Sequence, residues 1–296
     1  MRYPFIEEHH KTWPVRVMCR VLLVTAAGFY KWRQQRRLGP SRREVNRLQL
    51  LEQIRDLHQR SSGRYGSPRV HRALRRQNRR CSRKTVEKLM RQNQIRSKRT
   101  RRWRVRTTDS NHPHPIAPNR LDRRFNQPQK QQQLNAVWAA DITYVPTRQG
   151  WLYLAAVMDL CSRRIVGWAT SDRLPAQLPI AALQQAISRR RPHQLPHPLL
   201  HHSDRGVQYA CGEYQRLLKQ HGIDCSMSRG GDCYDNAAME SFFATLKTEL
   251  IHHENYHTRE EARASIYSFI ELFYDHQRLH SALDYRSPAE YEAQML

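Results

Sequence analysis

The positive charge of this chain is gathered at one end, and that asymmetry limits what the chain can fold into. Its 296 residues carry a formal net charge of +25. Residues 1–130 hold 35 Lys and Arg against 8 Asp and Glu, whereas residues 131–296 hold 16 against 18. Such segregation calls for a basic, polyanion-binding region joined to a near-neutral body. A chain of this length has room for about two domains. Arg heavily outnumbers Lys in the basic half. Its planar fork suits phosphates and guanine edges, so nucleic acid is the expected polyanion.

Other compartments and chemistries fit less well. The mean hydropathy is −0.84, yet 39% of residues are hydrophobic, including six Trp and thirteen Tyr, which argues against wholesale disorder. The most apolar N-terminal stretch, 21–27, falls far short of the ~20 residues of a membrane span and lacks a signal-peptidase site. A cytoplasmic, nucleoid-associated protein without membrane contact is expected. Six cysteines at 19, 81, 161, 211, 225 and 233 form no C-x-x-C pair, so they read as reduced, packed thiols and not as zinc ligands or a disulfide framework.

Patterning divides the chain further. An N-terminal helical segment occupies 1–40, with helix, break and helix between Val15 and Trp32; Val17, Val21 and Leu22 share a face and Thr25 can cap the following turn. A basic helix-turn-helix domain is expected over 41–106. Leu48, Leu51, Ile54 and Leu57 mark its first helix. Ser67-Pro68 signals the start of the second, and Ser82 starts the third, with Val86, Leu89 and Met90 on one face. Between Arg69 and Arg106 stand 17 Lys and Arg and a single acid, Glu87. A solvated helix face would mix the signs. The helix carrying Arg83, Lys84, Lys88 and Arg91 is therefore the candidate for groove entry. Lys98, Arg99, Arg101 and Arg102 form an extended phosphate-tracking arm. Residues 107–134, rich in Pro, Asn, Gln and His, read as a linker.

From 135 the period changes. Trp138–Val145, Trp151–Asp159 and Arg164–Thr170 read as a strand meander, followed by a helix at 179–190 and a strand at 199–204. A helix at 208–221, a strand at 223–227 and a helix from about Asn236 to Ile251 complete the run. This order predicts an α/β fold, a mixed five-stranded sheet with flanking helices, over 135–252. A helical extension follows over 253–296.

Three acids stand out. Asp141 interrupts the apolar strand WAADITYV, where a charge is costly unless a metal or partner compensates it; an edge-strand Asp facing water is the plain alternative. Asp204 ends a strand in HHSDRGVQY, a common place for ligand contacts, though weak evidence alone. Glu240 lies on a helix, where a Glu is ordinarily only solvated; Phe243, Ala244 and Lys247 fall near its face. Together, two strand-borne acids and one helix-borne acid can hold two hard cations, the arrangement that serves phosphoryl transfer. Lys247 would then face phosphate. Asp159 and Asp235 compete on chemistry alone and read as structural.

Thirty-five residues separate Asp204 from Glu240. With that spacing, HSDRGVQY (202–209), SMSRGGDCYDNAAMESFFATLKTE (226–249) and YDHQRLHSALDYRSPAEYE (274–292) resemble the second-reading-frame product of IS3-family insertion sequences. SGRYGSPRVHRALRRQNRRCSRKTVEKLM (62–90) resembles that family's helix-turn-helix and PNRLDRRF (118–125) its linker, so the similarity spans nearly the whole chain. The resemblance implies an RNase H-like, DDE/integrase-type core. It implies Mg²⁺-dependent cleavage of element ends (Mn²⁺ substituting), with two ions per site, and strand transfer to double-stranded DNA by the freed 3′-OH. Asp141, Asp204 and Glu240 take the metal-ligand positions by motif match, and Lys247 a DNA-contact position. The family also implies an upstream-frame partner or fusion carrying a further helix-turn-helix and a leucine zipper. The two-ended reaction calls for a homo-oligomer on DNA. Two other classes stay open at this stage. A non-catalytic DNA-binding regulator of transposition would use the basic half equally well. An RNA-directed nuclease shares the fold, but a helix-turn-helix suits duplex DNA, since A-form RNA hides its major groove.

Overall fold

A computed structural model describes residues 2–98, 115–121, 133–228 and 236–295. The chain divides into two compact units, Met1–Ser97 and Lys98–Leu296.

The first unit is all helical. Helices α1 (Arg2–His9), α2 (Val15–Val21) and α3 (Ala26–Arg37) close over Ile6, Met18, Cys19 and Phe29. The Thr25 hydroxyl accepts a hydrogen bond from the Gly28 amide at 3.1 Å and so caps α3. The sequence does not announce α1, and the shared face differs from the expected one. Val17 and Val21 are exposed, while Met18 and Cys19 point inward. Helix α4 (Arg42–Arg60) opens on a capping box between Ser41 and Glu44. Its inward stripe is Leu50, Ile54 and Leu57, spaced i, i+4, i+7; Leu48, expected inside, is 60% exposed. These side chains meet Val70 and Leu74 of α5 (Ser67–Arg76) and Val86, Leu89 and Met90 of α6 (Arg83–Gln92), all buried. Gly66, not Ser67, caps α5, with Pro68 in its first turn. Ser82 caps α6 by accepting from the Thr85 amide at 3.1 Å.

The second unit is built on one mixed sheet. Strands β1 (Val137–Thr147), β2 (Gly150–Asp159) and β3 (Ile165–Ser171) form an antiparallel meander. Helix α7 (Gln177–Arg190) then crosses to β4 (Leu199–Ser203). A single turn at Val207–Ala210 and helix α8 (Gly212–Gln220) lead to β5 (Ile223–Met227). The sheet order is β3-β2-β1-β4-β5, with β4 and β5 parallel to β1. The expected helix at 208–221 is thus broken at Cys211, whose backbone is extended. One face buries Trp138, Ala140, Val157 and Val166 against Leu183 and Ala186 of α7 and Tyr214 and Leu218 of α8. Gly167 is required there, because a Cβ would stand 2.2 Å from the Ala182 carbonyl oxygen. Helix α9 (Ala237–Glu249) packs on β1.

The C-terminal helices belong to the same unit. Helix α10 (Arg259–Tyr267), a π-helical stretch Ser268–Tyr274, and α11 (Pro288–Ala293) close it. They are keyed in by buried polar contacts. Arg278 donates to both Glu249 carboxylate oxygens at 2.9 and 2.7 Å. Glu292 receives Arg164, Arg190 and the Ser162 hydroxyl. Asp275 accepts from the Ile165 amide at 3.1 Å. Asp159 is fully buried and accepts from the Asn135 and Ser162 amides and the Ser162 hydroxyl, which makes it a clamp on the turn after β2. Asp235 lies outside the described residues. No helix among the described residues is long and apolar enough to cross a membrane.

Candidate active site

Two of the three singled-out acids become neighbours through strand register. β1 and β4 pair in parallel from Val137↔Leu200 to Ala139↔His202. Asp141 and Asp204 each lie two residues beyond the last pair, at equivalent positions just past the end of the β1–β4 ladder. Pairing with β4 ends at Ala139, which opens this edge of β1 where the carboxylate stands. One Asp141 oxygen accepts from the Ile142 amide at 2.8 Å.

The end of β4 is held by hydrogen bonds to β5. The buried His202 ring lies between the hydroxyls of Ser226 (2.9 Å) and Ser228 (3.2 Å), and the Ser228 amide donates to the Ser203 carbonyl at 2.9 Å. The Arg205 Nε donates to the Ser228 carbonyl. Asp204 Oδ1 accepts from the Gly206 amide at 2.9 Å, and a Cβ at Gly206 would stand 3.0 Å from that oxygen. The small residue keeps the turn tight and the carboxylate in place.

Glu240 arrives on the first turn of α9. The buried Asn236 side chain, just before that helix, donates to the Ala140 carbonyl at 3.1 Å and ties the helix start to the strand residue preceding Asp141. The electrostatics of Asp141 register the convergence. Burial raises its carboxyl well above the usual carboxylate range, the Asp204 charge adds to that, and Glu240 adds again. The Ile142 amide and Lys247 act in the opposite direction. Lys247, half-buried two turns beyond Glu240, has its ammonium lowered by burial and partly restored by Asp141. It lies over the Tyr144 ring, 5.1 Å from the centroid. Among the described residues the buried Tyr209 hydroxyl has no hydrogen-bond partner, and burial, Tyr214, Asp141 and Asp204 all raise its pKa.

Asp204, Glu240 and Lys247 therefore all act on Asp141. Among the described residues, however, no three His, Cys, Asp or Glu side chains close into a ready metal cluster. The donor chemistry nonetheless suits a hard divalent cation: oxygen ligands whose mutual repulsion a cation would relieve. Sequence reading missed Asn236, Tyr144 and Tyr209. Asn236 carried a signal, a polar residue at the mouth of the last helix; the other two look like ordinary strand and helix aromatics.

In the first unit, Arg83, Lys84, Lys88 and Arg91 are exposed on α6, with Lys84, Lys88 and Arg91 spaced i, i+4, i+7 away from the buried Val86, Leu89 and Met90. Lys98 is partly exposed; Arg99, Arg101 and Arg102 lie outside the described residues.

Residues 131–233 and 221–288 match models of the integrase core domain, and residues 45–103 match an HTH-like domain. The chain is 41% identical over 292 residues to the transposase InsF for insertion sequence IS3A of Escherichia coli strain K12, covering 99% of this chain and 98% of the relative. It is 40% identical to InsF for insertion sequence IS3fB of the same strain across the full length of both. Among solved structures, a simian T-cell lymphotropic virus intasome in complex with PP2A regulatory subunit B56 gamma aligns at a TM-score of 0.45 and 14% identity, covering 80% of this chain and 73% of that one. The chain belongs to the IS3 family of insertion-sequence transposases, DNA-acting polynucleotidyl transferases with an integrase core.

Proposed function

We propose that Asp141, Asp204 and Glu240 form a DDE-type centre that cleaves the ends of an insertion sequence and joins the freed 3′-OH to target DNA. The observation that carries this reading is placement: Asp141 and Asp204 stand just past the end of the β1–β4 ladder, and Glu240 lies on the first turn of the helix that Asn236 ties to Ala140; the raised Asp141 carboxyl agrees with it. Asp141 and Asp204 would hold metal from adjoining strand ends, and Glu240 from the helix above them. When bound, two Mg²⁺ ions, or Mn²⁺ in their place, supply activation of the attacking oxygen and charge for the leaving one. Lys247 holds a DNA phosphate beside the centre. Arg83, Lys84, Lys88, Arg91, Lys98, Arg99, Arg101 and Arg102 hold duplex DNA from the basic domain.

The domain plan proposed is an N-terminal helical segment (1–40), a DNA-binding domain (41–106), a linker (107–134), the catalytic core (135–252) and a helical extension (253–296). Joining two element ends calls for more than one copy on the DNA. An upstream-frame helix-turn-helix and zipper product acts as partner or fusion, and the assembly works on the bacterial nucleoid.

Incubation of the chain with supercoiled plasmid and Mn²⁺ or Mg²⁺, wild type against Glu240→Gln, tests the assignment. Metal-dependent nicking that disappears in the variant is the expected result. Nicking that persists removes Glu240 from the centre. DNA binding without nicking by either protein favours a regulator that depends on the upstream partner.

A further inference from the structure

The β1–β2 hairpin carries an exposed aromatic that neither its fold nor the carboxylate centre explains. Trp151, at the start of β2, is 49% exposed. Its ring meets Tyr144 edge-on, with centroids 4.9 Å apart and planes at 78°. Tyr144 in turn lies under the Lys247 ammonium, which acts on Asp141. Trp151, Tyr144 and the Lys247 ammonium thus form an aromatic and cationic row on the hairpin, joined to Asp141 through Lys247.

The tip is built to hold this row still. Gly150 takes φ +101 in the turn, and the Thr147 hydroxyl donates to its carbonyl at 2.6 Å. The Arg148 amide donates to the Tyr256 carbonyl at 3.0 Å. From α10, the Arg259 amide donates to the Gln149 side chain at 3.0 Å and its Nε to the Trp151 carbonyl at 3.1 Å. Two arginines therefore belong to the tip: the exposed Arg148 in the turn and the half-buried Arg259, whose guanidinium is bonded to the Trp151 backbone. A half-exposed indole on a tip that also carries two arginines suits a nucleic-acid strand, which offers a base or sugar face for stacking and phosphates for the cations. An apolar protein partner would have no use for the cations.

We propose that Trp151, backed by Tyr144 on a hairpin tip that also carries Arg148 and Arg259, is a positioning residue that stacks on a nucleotide of the DNA strand leaving the carboxylate centre. The inference rests on the reading of Asp141, Asp204 and Glu240 given above. Strand geometry sets the place of contact. Trp151 pairs with Pro146, five positions from Asp141 along β1. At ~3.4 Å per strand residue this is about 17 Å, or roughly five nucleotide steps of ~3.4 Å from the reacting phosphate.

The test uses the full-length chain with duplexes ending in the terminal repeat that flanks its own reading frame. 2-Aminopurine is placed singly at successive positions from the joining phosphate. Quenching is expected to peak about five positions in for the wild type and to vanish in Trp151→Ala. Trp151→Ala should also raise the KM for DNA about tenfold, the scale of one lost base–aromatic stack, with kcat little changed, and Trp151→Phe should restore most of the loss. Quenching that is uniform along the duplex, or equal in wild type and Trp151→Ala, overturns the proposal; so does an unchanged KM. Because the quenching is read without turnover, a failure of Glu240→Gln to stop nicking would count against the carboxylate assignment alone. Unchanged thermal melting of Trp151→Ala excludes unfolding as the source of its effects.

Discussion

The two units use charge in opposite ways. In the helical unit the charged side chains of α6 stand in water, and its buried residues Val86, Leu89 and Met90 are apolar. In the sheet unit ionisable side chains are withdrawn from solvent: Asp159, Asp275, Glu249, Arg278 and Glu292 are buried, and Asp141 is half-buried under the field of two further acids. Exposed cations bind a polyanion cumulatively, and each can be lost at modest cost. Under the proposed assignment, acids that hold one metal centre act as a unit, so the loss of any of them should cost most of the activity. On the proposed reading, one unit retains DNA and the other acts on a single phosphate.

Substitutions should separate these two behaviours. The largest effect is expected from Asp204→Asn, which should slow DNA cleavage by roughly a thousandfold or more while leaving retention of DNA in a gel-shift assay close to wild type. Comparable loss of binding and cleavage would mean that the sheet unit does not divide the labour as described. Next comes the buried pair that joins α9 to the C-terminal segment. Arg278→Ala leaves Glu249 uncompensated and should cost about 3–5 kcal/mol, read as a fall in denaturation midpoint. A surface-like loss below about 1 kcal/mol would show that the pair is solvated.

Neutralising Arg83, Lys84, Lys88 and Arg91 together should weaken DNA binding and lower the slope of log affinity against log salt by about 0.9 for each phosphate contact removed. Single-turnover cleavage of saturating DNA should be unaffected. The smallest effect concerns pH. Burial pushes Asp275 up to about 8 despite the Ile165 amide and Arg164. The folded state binds this proton more tightly than the unfolded chain does. The favourable contribution is complete below the ordinary carboxylate range and is lost as pH rises through about 8. Asp275→Asn, which can still accept from Ile165, should flatten the fall in thermal stability across that window; an unchanged pH profile would place the titration elsewhere.

Local patterns were legible in the sequence and distant pairings were not. The strand at 223–227 matches β5 (Ile223–Met227), and the meander matches β1, β2 and β3 to within two residues at each end, because alternation and β-branched residues are local signals. The inward faces of the N-terminal helices were misjudged. In a stripe that includes Leu48, Leu50 and Leu51 the helical period alone does not say which Leu points inward, and packing against α5 and α6 selects Leu50. The C-terminal segment read as an extension, since nothing local reveals that Glu292 will meet Arg164 and Arg190. At the site, motif resemblance picked out Asp141, Asp204 and Glu240. Asn236, which ties the start of α9 to Ala140, became visible only once β1 and α9 were brought together.

The most direct measurement of the central claim is thermal melting with and without Mn²⁺ or Mg²⁺, for wild type and Asp141→Asn. Relief of carboxylate repulsion by a bound cation predicts a rise in the wild-type midpoint on adding metal. In Asp141→Asn that rise should be largely lost, and the metal-free midpoint should equal or exceed the wild-type one, because a buried, repelled charge has been removed. An equal metal-induced rise in both proteins would contradict the account, since the ions would then be held somewhere other than at Asp141.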